Sequence, residues 1–208
     1  ALFEKGVPFQ EQLAWVGQTD LAASPLGKVP YLLTPEGPLC ESAVIADYIE
    51  AAYPTPALVP AQAFAAAKVR ELITFMELHL ELVARNLYPQ AFFGGTVSEA
   101  AREKVGIQLE KNIAAFAKLA SFAPYVAGDS FSMADCAAIV HLPLVSSATK
   151  AIYGRDYLAE LPAPRTAANP CPPTFPVCWR HWKPFCTAPW RGLMSERVRP
   201  VSAGRVPN

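Results

Sequence analysis

The amino-acid sequence predicts two unlike parts: a small α/β unit over the first fifty-odd residues, then an all-α helical bundle. Three observations carry that reading. Short apolar runs bounded by turn residues fill the first part, whereas apolar residues beyond Pro60 recur every three or four positions. A group of prolines, Pro54, Pro56 and Pro60, separates the two patterns. At 208 residues and 52% hydrophobic, the chain has enough apolar material to bury a sizeable core.

Leu2 to Lys5 read as the end of a helix stopped by Gly6, with Pro8 just beyond. Gln12 to Val16 suit a short strand, and Val29 to Thr34 a firmer one. Thr34-Pro35-Glu36-Gly37 has the Pro and Gly positions of a type I turn and leads into a second strand at Leu39-Cys40. Ser42 fits a helix N-cap, and Val44, Ile45, Tyr48, Ile49 and Ala52 follow on one face until Pro54 ends the element. Past the linker, Val69, Leu72, Ile73, Met76, Leu80, Val83 and Leu87 step along one long amphipathic helix. Gly94-Gly95 break it. Ser98 caps the next helix, whose stripe is Val105, Leu109, Ile113 and Phe116. After Gly128-Asp129, Ser132-Met133-Ala134-Asp135 form a capping box with Asp in place of the usual Glu, a role in folding and not in chemistry. The helix it opens is apolar on most sides, as the buried centre of a bundle would be. The domain organisation expected is therefore 1–54 for the α/β domain, 55–60 for the linker, 61–165 for the helical domain and 166–208 for an irregular tail.

Bulk composition excludes several classes. Eighteen basic and eighteen acidic residues cancel, so no global field draws nucleic acid or an anionic membrane. No run approaches the roughly 18 apolar residues of a bilayer span, and no basic stretch precedes an apolar one near Ala1 as in a signal peptide. Five cysteines without regular spacing fit reduced thiols in the cytoplasm better than a disulfide framework. The tail stands apart, because from Thr166 onward six Lys or Arg accompany one acid, and three of the four Trp and eight of the 21 Pro lie there. Cys171, Cys178, His181 and Cys186 have irregular gaps and no Cys-x-x-Cys pair, so no metal site is expected. A mixture of this kind, without helical period, is what a shifted reading frame in a GC-rich gene produces.

The chemistry-bearing stretch is Ser24-Pro25-Leu26-Gly27-Lys28-Val29-Pro30-Tyr31-Leu32, followed by Leu39-Cys40-Glu41-Ser42-Ala43-Val44-Ile45. Pro at the start of a sheet strand cannot donate to the ladder, and a cis Val29-Pro30 bond accounts for it. The main chain of Val29 would then face outward, able to pair with an extended peptide. Glu41 and Ser42 offer an acceptor and a hydroxyl at a helix N-terminus, whose free N–H groups attract carboxylates. Together these groups suit a small peptide. Taken by themselves they read more readily as a turn proline, a surface acid and an ordinary N-cap.

The same residues resemble the second half of the thioredoxin-like domain of bacterial cytosolic glutathione S-transferases. Ala1 to Phe9 resembles the end of that domain's first helix. Leu87-Tyr88-Pro89-Gln90-Ala91-Phe92-Phe93-Gly94-Gly95 is similar to the bend after the first helix of the family's α-helical domain, and Phe131 to Cys136 to the capping motif of its core helix. The resemblance covers about residues 1–162. It implies a thioredoxin-like domain lacking its first strand, an all-α C-terminal domain, glutathione as co-substrate, a small electrophile as partner and a homodimer in the cytoplasm. Position by position, Val29 would pair with the cysteinyl unit, Pro30 would shape the site, and Glu41 and Ser42 would hold the γ-glutamyl end. Lys28 would meet the glycyl carboxylate, or else be a solvated turn residue, as lysine at such a place more often is. Tyr88, Phe92 and Phe93 would line the electrophile pocket, or else belong to the core.

Two departures from the family pattern follow. The thiol-activating Tyr, Ser or Cys of the family lies in the first strand or at the start of the first helix, and this sequence opens inside that helix, so the catalytic residue is unknown. Cys40 lies near the site in sequence but reads as a small buried hydrophobe. The tail does not resemble the family's terminal helices. Two alternatives remain: a non-catalytic regulatory module of the stringent starvation protein type, associated with RNA polymerase, or an inactive truncated gene product.

Overall fold

Ala1 to Val7 wind through one helical turn that ends as the sequence suggests. Gly6 takes φ +63°, the Gly6 N–H donates to Phe3 O at 3.0 Å and the Val7 N–H to Leu2 O at 3.1 Å, the paired bonds of a Schellman ending. The computed structural model describes residues 1–12, 14, 19–159 and 161. The strand expected over Gln12–Val16 lies largely outside those residues, and so does the 166–208 tail.

The α/β part holds β1 (Leu32–Thr34), β2 (Gly37–Leu39) and α1 (Ser42–Ala52). β1 and β2 pair antiparallel, Leu32 with Leu39 and Thr34 with Gly37. The turn between them is tied by Thr34 Oγ1, which accepts from Glu36 and Gly37 N–H, each at 3.2 Å. β1 begins three residues later than the sequence pattern suggests, because Pro30 has no N–H to give a ladder. β2 ends at Leu39, so Cys40 lies beyond the strand. Only Ile49 of the expected α1 stripe is buried, while Val44 is 51% exposed. Lys5 fastens this part to the linker: its side chain is wholly buried, donates to Tyr53 O and Pro56 O at 2.8 and 2.7 Å, and pairs with Glu50 at 2.7 Å.

The helical part runs α2 (Ala63–Phe75), a π-helical segment (Met76–Glu81), α3 (Leu82–Ala84), a 3₁₀ turn (Arg85–Leu87) and α4 (Tyr88–Phe92) as one continuous rod. α5 (Glu99–Leu119) and α6 (Met133–Tyr153) pack against it. Val69, Leu72, Met76, Leu80, Val83 and Leu87 are buried, and so are Val105, Leu109, Ile113 and Phe116 of α5. The rod departs from a regular helix at 76–81, where the wider turn admits one more residue and brings Glu81 onto the buried side. α5 is capped by Ser98, whose Oγ accepts from the Ala101 N–H at 3.3 Å. At the head of α6, Asp135 Oδ2 accepts from the Ser132 N–H at 2.9 Å and from its hydroxyl at 3.0 Å, and Oδ1 accepts from the Val126 N–H at 2.8 Å. Among the described residues α6 is the one helix long and apolar enough to cross a bilayer. The sequence pattern missed this because polar residues interrupt every apolar run, and in the fold α6 packs against α2, the π-segment, α3 and α4.

Candidate functional site

Ser24 organises the loop ahead of β1. It is 2% exposed, its hydroxyl donates to Lys28 O at 2.7 Å, and its Oγ accepts from the Lys28 N–H at 3.1 Å. Asp20 O accepts from the Ser24 N–H at 2.8 Å, and Gly27 turns the chain back at φ +64°. The result is a tight loop that leaves Lys28, Val29 and Pro30 exposed at its edge. The Val29–Pro30 bond is cis. Among the described residues, neither the N–H nor the C=O of Val29 pairs with other backbone.

Across from this edge, the chain leaves β2 through Cys40 and enters α1. Glu41, not Ser42, is the N-cap residue, with φ +65° and ψ 119°. A non-glycine residue with positive φ costs about 1–3 kcal/mol and persists where the surroundings dictate it, most often at binding and catalytic sites. Glu41 makes no side-chain cap bond, so its carboxylate does not serve the helix. Ser42 is the first helical residue and is exposed, beside the open N–H groups of the first turn.

These two edges enclose a groove of about 310 Å³. Lys28, Val29, Pro30, Glu41 and Ser42, the five residues singled out in the sequence, all line it, with Ser24, Pro25, Leu26 and Cys40. Its remaining wall is Arg85, from the helical part. Cys40 is half-buried on the groove and its S–H donates to Ala23 O at 3.0 Å. Ser24 and Cys40 are therefore both committed to loop backbone. Tyr88, Phe92 and Phe93 do not line the groove. The Tyr88 and Phe92 rings meet at 4.9 Å, tilted by 59°, with Tyr88 against the core, and Phe93 is 69% exposed.

Behind Arg85 lies a polar cluster that the sequence pattern did not reveal. Arg85 donates through Nη2 to Glu81 Oε1, and Glu81 Oε2 pairs with His141 Nδ1 on α6. His141 Nε2 also lies 3.8 Å from Glu77 Oε1. Burial alone would raise the Glu81 carboxyl, but its bonds to His141 and Arg85 hold it below the usual carboxylate range. Glu77 goes the other way, raised first by burial and further by the Glu81 and Glu41 charges, with His141 opposing. The Tyr88 hydroxyl is buried without a hydrogen-bond partner, and burial together with Glu81 holds its pKa well above the ordinary phenol value. Among the described residues no group of three His, Cys, Asp or Glu side chains could hold a metal ion.

Comparison with known proteins gives this geometry a context. A family model described as the glutathione S-transferase N-terminal domain matches residues 1–57. A glutathione S-transferase of Pseudomonas putida is 42% identical over 164 residues, which cover 78% of this chain and 74% of that protein. A stringent starvation protein A homolog of Pasteurella multocida is 28% identical over 138 residues, 65% of this chain and 62% of the relative, a weaker likeness. A solved glutathione S-transferase of Methylobacterium radiotolerans, in complex with glutathione sulfonate, superposes with a TM-score of 0.58 at 20% identity, covering 99% of this chain and 91% of that one; at such identity the likeness bears on the fold.

Proposed function

This chain belongs to the glutathione S-transferase family, and we propose that its groove holds glutathione for transfer to a small electrophile. The observation that carries the reading is the convergence of unpaired Val29 main chain, the Glu41 carboxylate and the exposed start of α1 on one groove. Each is complementary to one part of the tripeptide. Val29 offers an N–H and a C=O to the cysteinyl unit, as an added strand would take. Glu41 accepts from the γ-glutamyl ammonium, while Ser42 and the first-turn N–H groups receive the adjoining carboxylate. Lys28 stands at the edge for the glycyl carboxylate. The positive φ at Glu41 supports the reading too, because it holds the carboxylate toward the groove at a cost that no cap bond repays.

In the transfer, the glutathione thiol loses its proton and the sulfur attacks the electrophilic carbon, forming a thioether as the leaving group departs with the bonding pair. The residue that lowers the thiol pKa is left unassigned. Residues 1–54 supply the tripeptide side and 61–165 the helical side, as a homodimer in the cytoplasm, in keeping with the family. Calorimetric titration of glutathione into the wild type and Glu41→Gln tests the site. Loss of one charge-assisted contact is worth about 1.5–3 kcal/mol, so the variant binds about 10- to 100-fold more weakly. Equal affinity in the two proteins removes the site.

A further inference from the structure

The glutathione reading leaves one groove charge without a ligand. The tripeptide carries one ammonium and two carboxylates, and Glu41, Ser42 with the start of α1, and Lys28 answer them. Arg85 is an additional cation, delivered from the opposite wall and from a different part of the fold. It is not a loose surface side chain. Glu81, 6% exposed, takes Nη2, and His141 fixes Glu81 in turn, so the guanidinium is braced from the core through two side chains. Five N–H donors in a rigid fork leave several for the groove once Nη2 is engaged, and the side chain is still 51% exposed. Tyr88 lies one turn on and Phe92 a further turn, on the same side of the rod as Arg85. The Tyr88 hydroxyl, buried and unpartnered, feels the Arg85 charge.

We infer that Arg85 is a specificity residue, pairing with a carboxylate borne by the electrophile while glutathione lies along Val29, Glu41 and Ser42. The inference rests on the glutathione reading. A guanidinium fork matches a carboxylate through two parallel hydrogen bonds, and bracing by Glu81 means little side-chain freedom is lost when a ligand arrives. The substrate class is a small electrophile with an acidic group set apart from its reactive carbon. Glu81 and His141 act through Arg85 and are positioning residues.

The test uses two transfer products as ligands: the glutathione conjugate of a chloronitrobenzoate, which carries a carboxylate on the ring, and that of chlorodinitrobenzene, which does not. Both are titrated, with glutathione itself, into the wild type, Arg85→Gln, Arg85→Lys and Glu41→Gln. The wild type should bind the ring-carboxylated conjugate about 10-fold more tightly than the one whose ring lacks a carboxylate. Arg85→Gln should bring the two to parity while keeping its affinity for glutathione, and Arg85→Lys should restore part of the preference. Glu41→Gln should weaken both conjugates alike and leave their ratio intact. Glutathione binding without a preference between conjugates overturns the inference alone. So does an Arg85→Gln variant that loses both conjugates and glutathione equally, which would assign Arg85 to the tripeptide or its thiolate. Failure of the wild type to bind glutathione overturns the underlying reading as well.

Discussion

Removal of the Asp135 carboxylate should loosen the helical core that braces the groove. Asp135 is 6% exposed and accepts three hydrogen bonds, from the Ser132 N–H, the Ser132 hydroxyl and the Val126 N–H. In Asp135→Ala the two amides are left buried without acceptors, since Ser132 and Val126 are themselves 5% and 6% exposed. Bonds to a charged acceptor contribute about 1.5–3 kcal/mol each, and a stranded buried amide costs about 1–3 kcal/mol. Burial opposes the carboxylate and raises its pKa above the ordinary range, which offsets part of that sum. A net loss of about 3–4 kcal/mol is the reasoned figure, against a total stability of about 5–15 kcal/mol. With a urea dependence near 2 kcal/mol per molar, the unfolding midpoint falls by about 1.5–2 M. Far-UV circular dichroism in urea reads this directly. Asp135→Asn keeps one oxygen and can serve one of the two amides, so it should fall between wild type and Ala. A midpoint shift under about 0.5 M for Asp135→Ala, with an unchanged slope, refutes the claim that this carboxylate secures the start of α6.

Two further substitutions probe the buried charges. In Glu77→Gln, the group removed has a folded pKa raised by burial and by Glu81 and Glu41. Its folded form therefore holds a proton that the unfolded chain releases, and the stability it confers is lost as pH rises from the usual carboxylate range through the raised value. The variant should be more stable than wild type at pH 7 and indistinguishable from it near pH 4, in thermal melts at both values; a variant less stable at pH 7 would contradict this. Lys5→Met strands the Tyr53 and Pro56 carbonyls and leaves Glu50 Oε2 without its cation, while Oε1 keeps the Leu58 and Val59 N–H groups, at a cost of about 3–5 kcal/mol for a broken buried pair. A fall of about 10 °C in the melting temperature is expected, and a fall below about 3 °C would show that the linker is held by other contacts.

The wall of the groove built by Lys28, Val29, Pro30, Glu41 and Ser42 was legible because its parts are local. Lys28 to Pro30 and Glu41 to Ser42 lie within fifteen residues of sequence, and proline, turn and cap chemistry acts over that range. Even so, the cap was misplaced by one residue: Ser is the better cap by propensity, but the strained Glu41 occupies the position. The stripe that the α5 sequence predicts is buried in full, since four residues at regular spacing face a single core. The α1 stripe was not, because an apolar face states only what a helix could bury, and the described residues cover Ile49 alone. Arg85, Glu81 and His141 escaped for a different reason. Their pairing spans 60 residues, and no local pattern encodes a contact between two helices. The one available signal was an acid, Glu81, directly beside the apolar stripe of Leu80 and Val83.

Glu81 also bears on what the π-segment contributes. A buried carboxylate bonded to two partners is a weak source of stability, because desolvation consumes most of what the pairing returns, and apolar side chains of similar size often serve as well. The wider turn therefore does something other than fill the core. It sets Glu81 between His141, which is fixed by α6, and Arg85, which reaches the groove, so that the orientation of the guanidinium is inherited from α6. Asp135 holds the start of that same helix, two turns before His141. A disturbance at the capping box should thus reach the groove through His141, Glu81 and Arg85, which joins the stability of the core to the geometry of the groove wall.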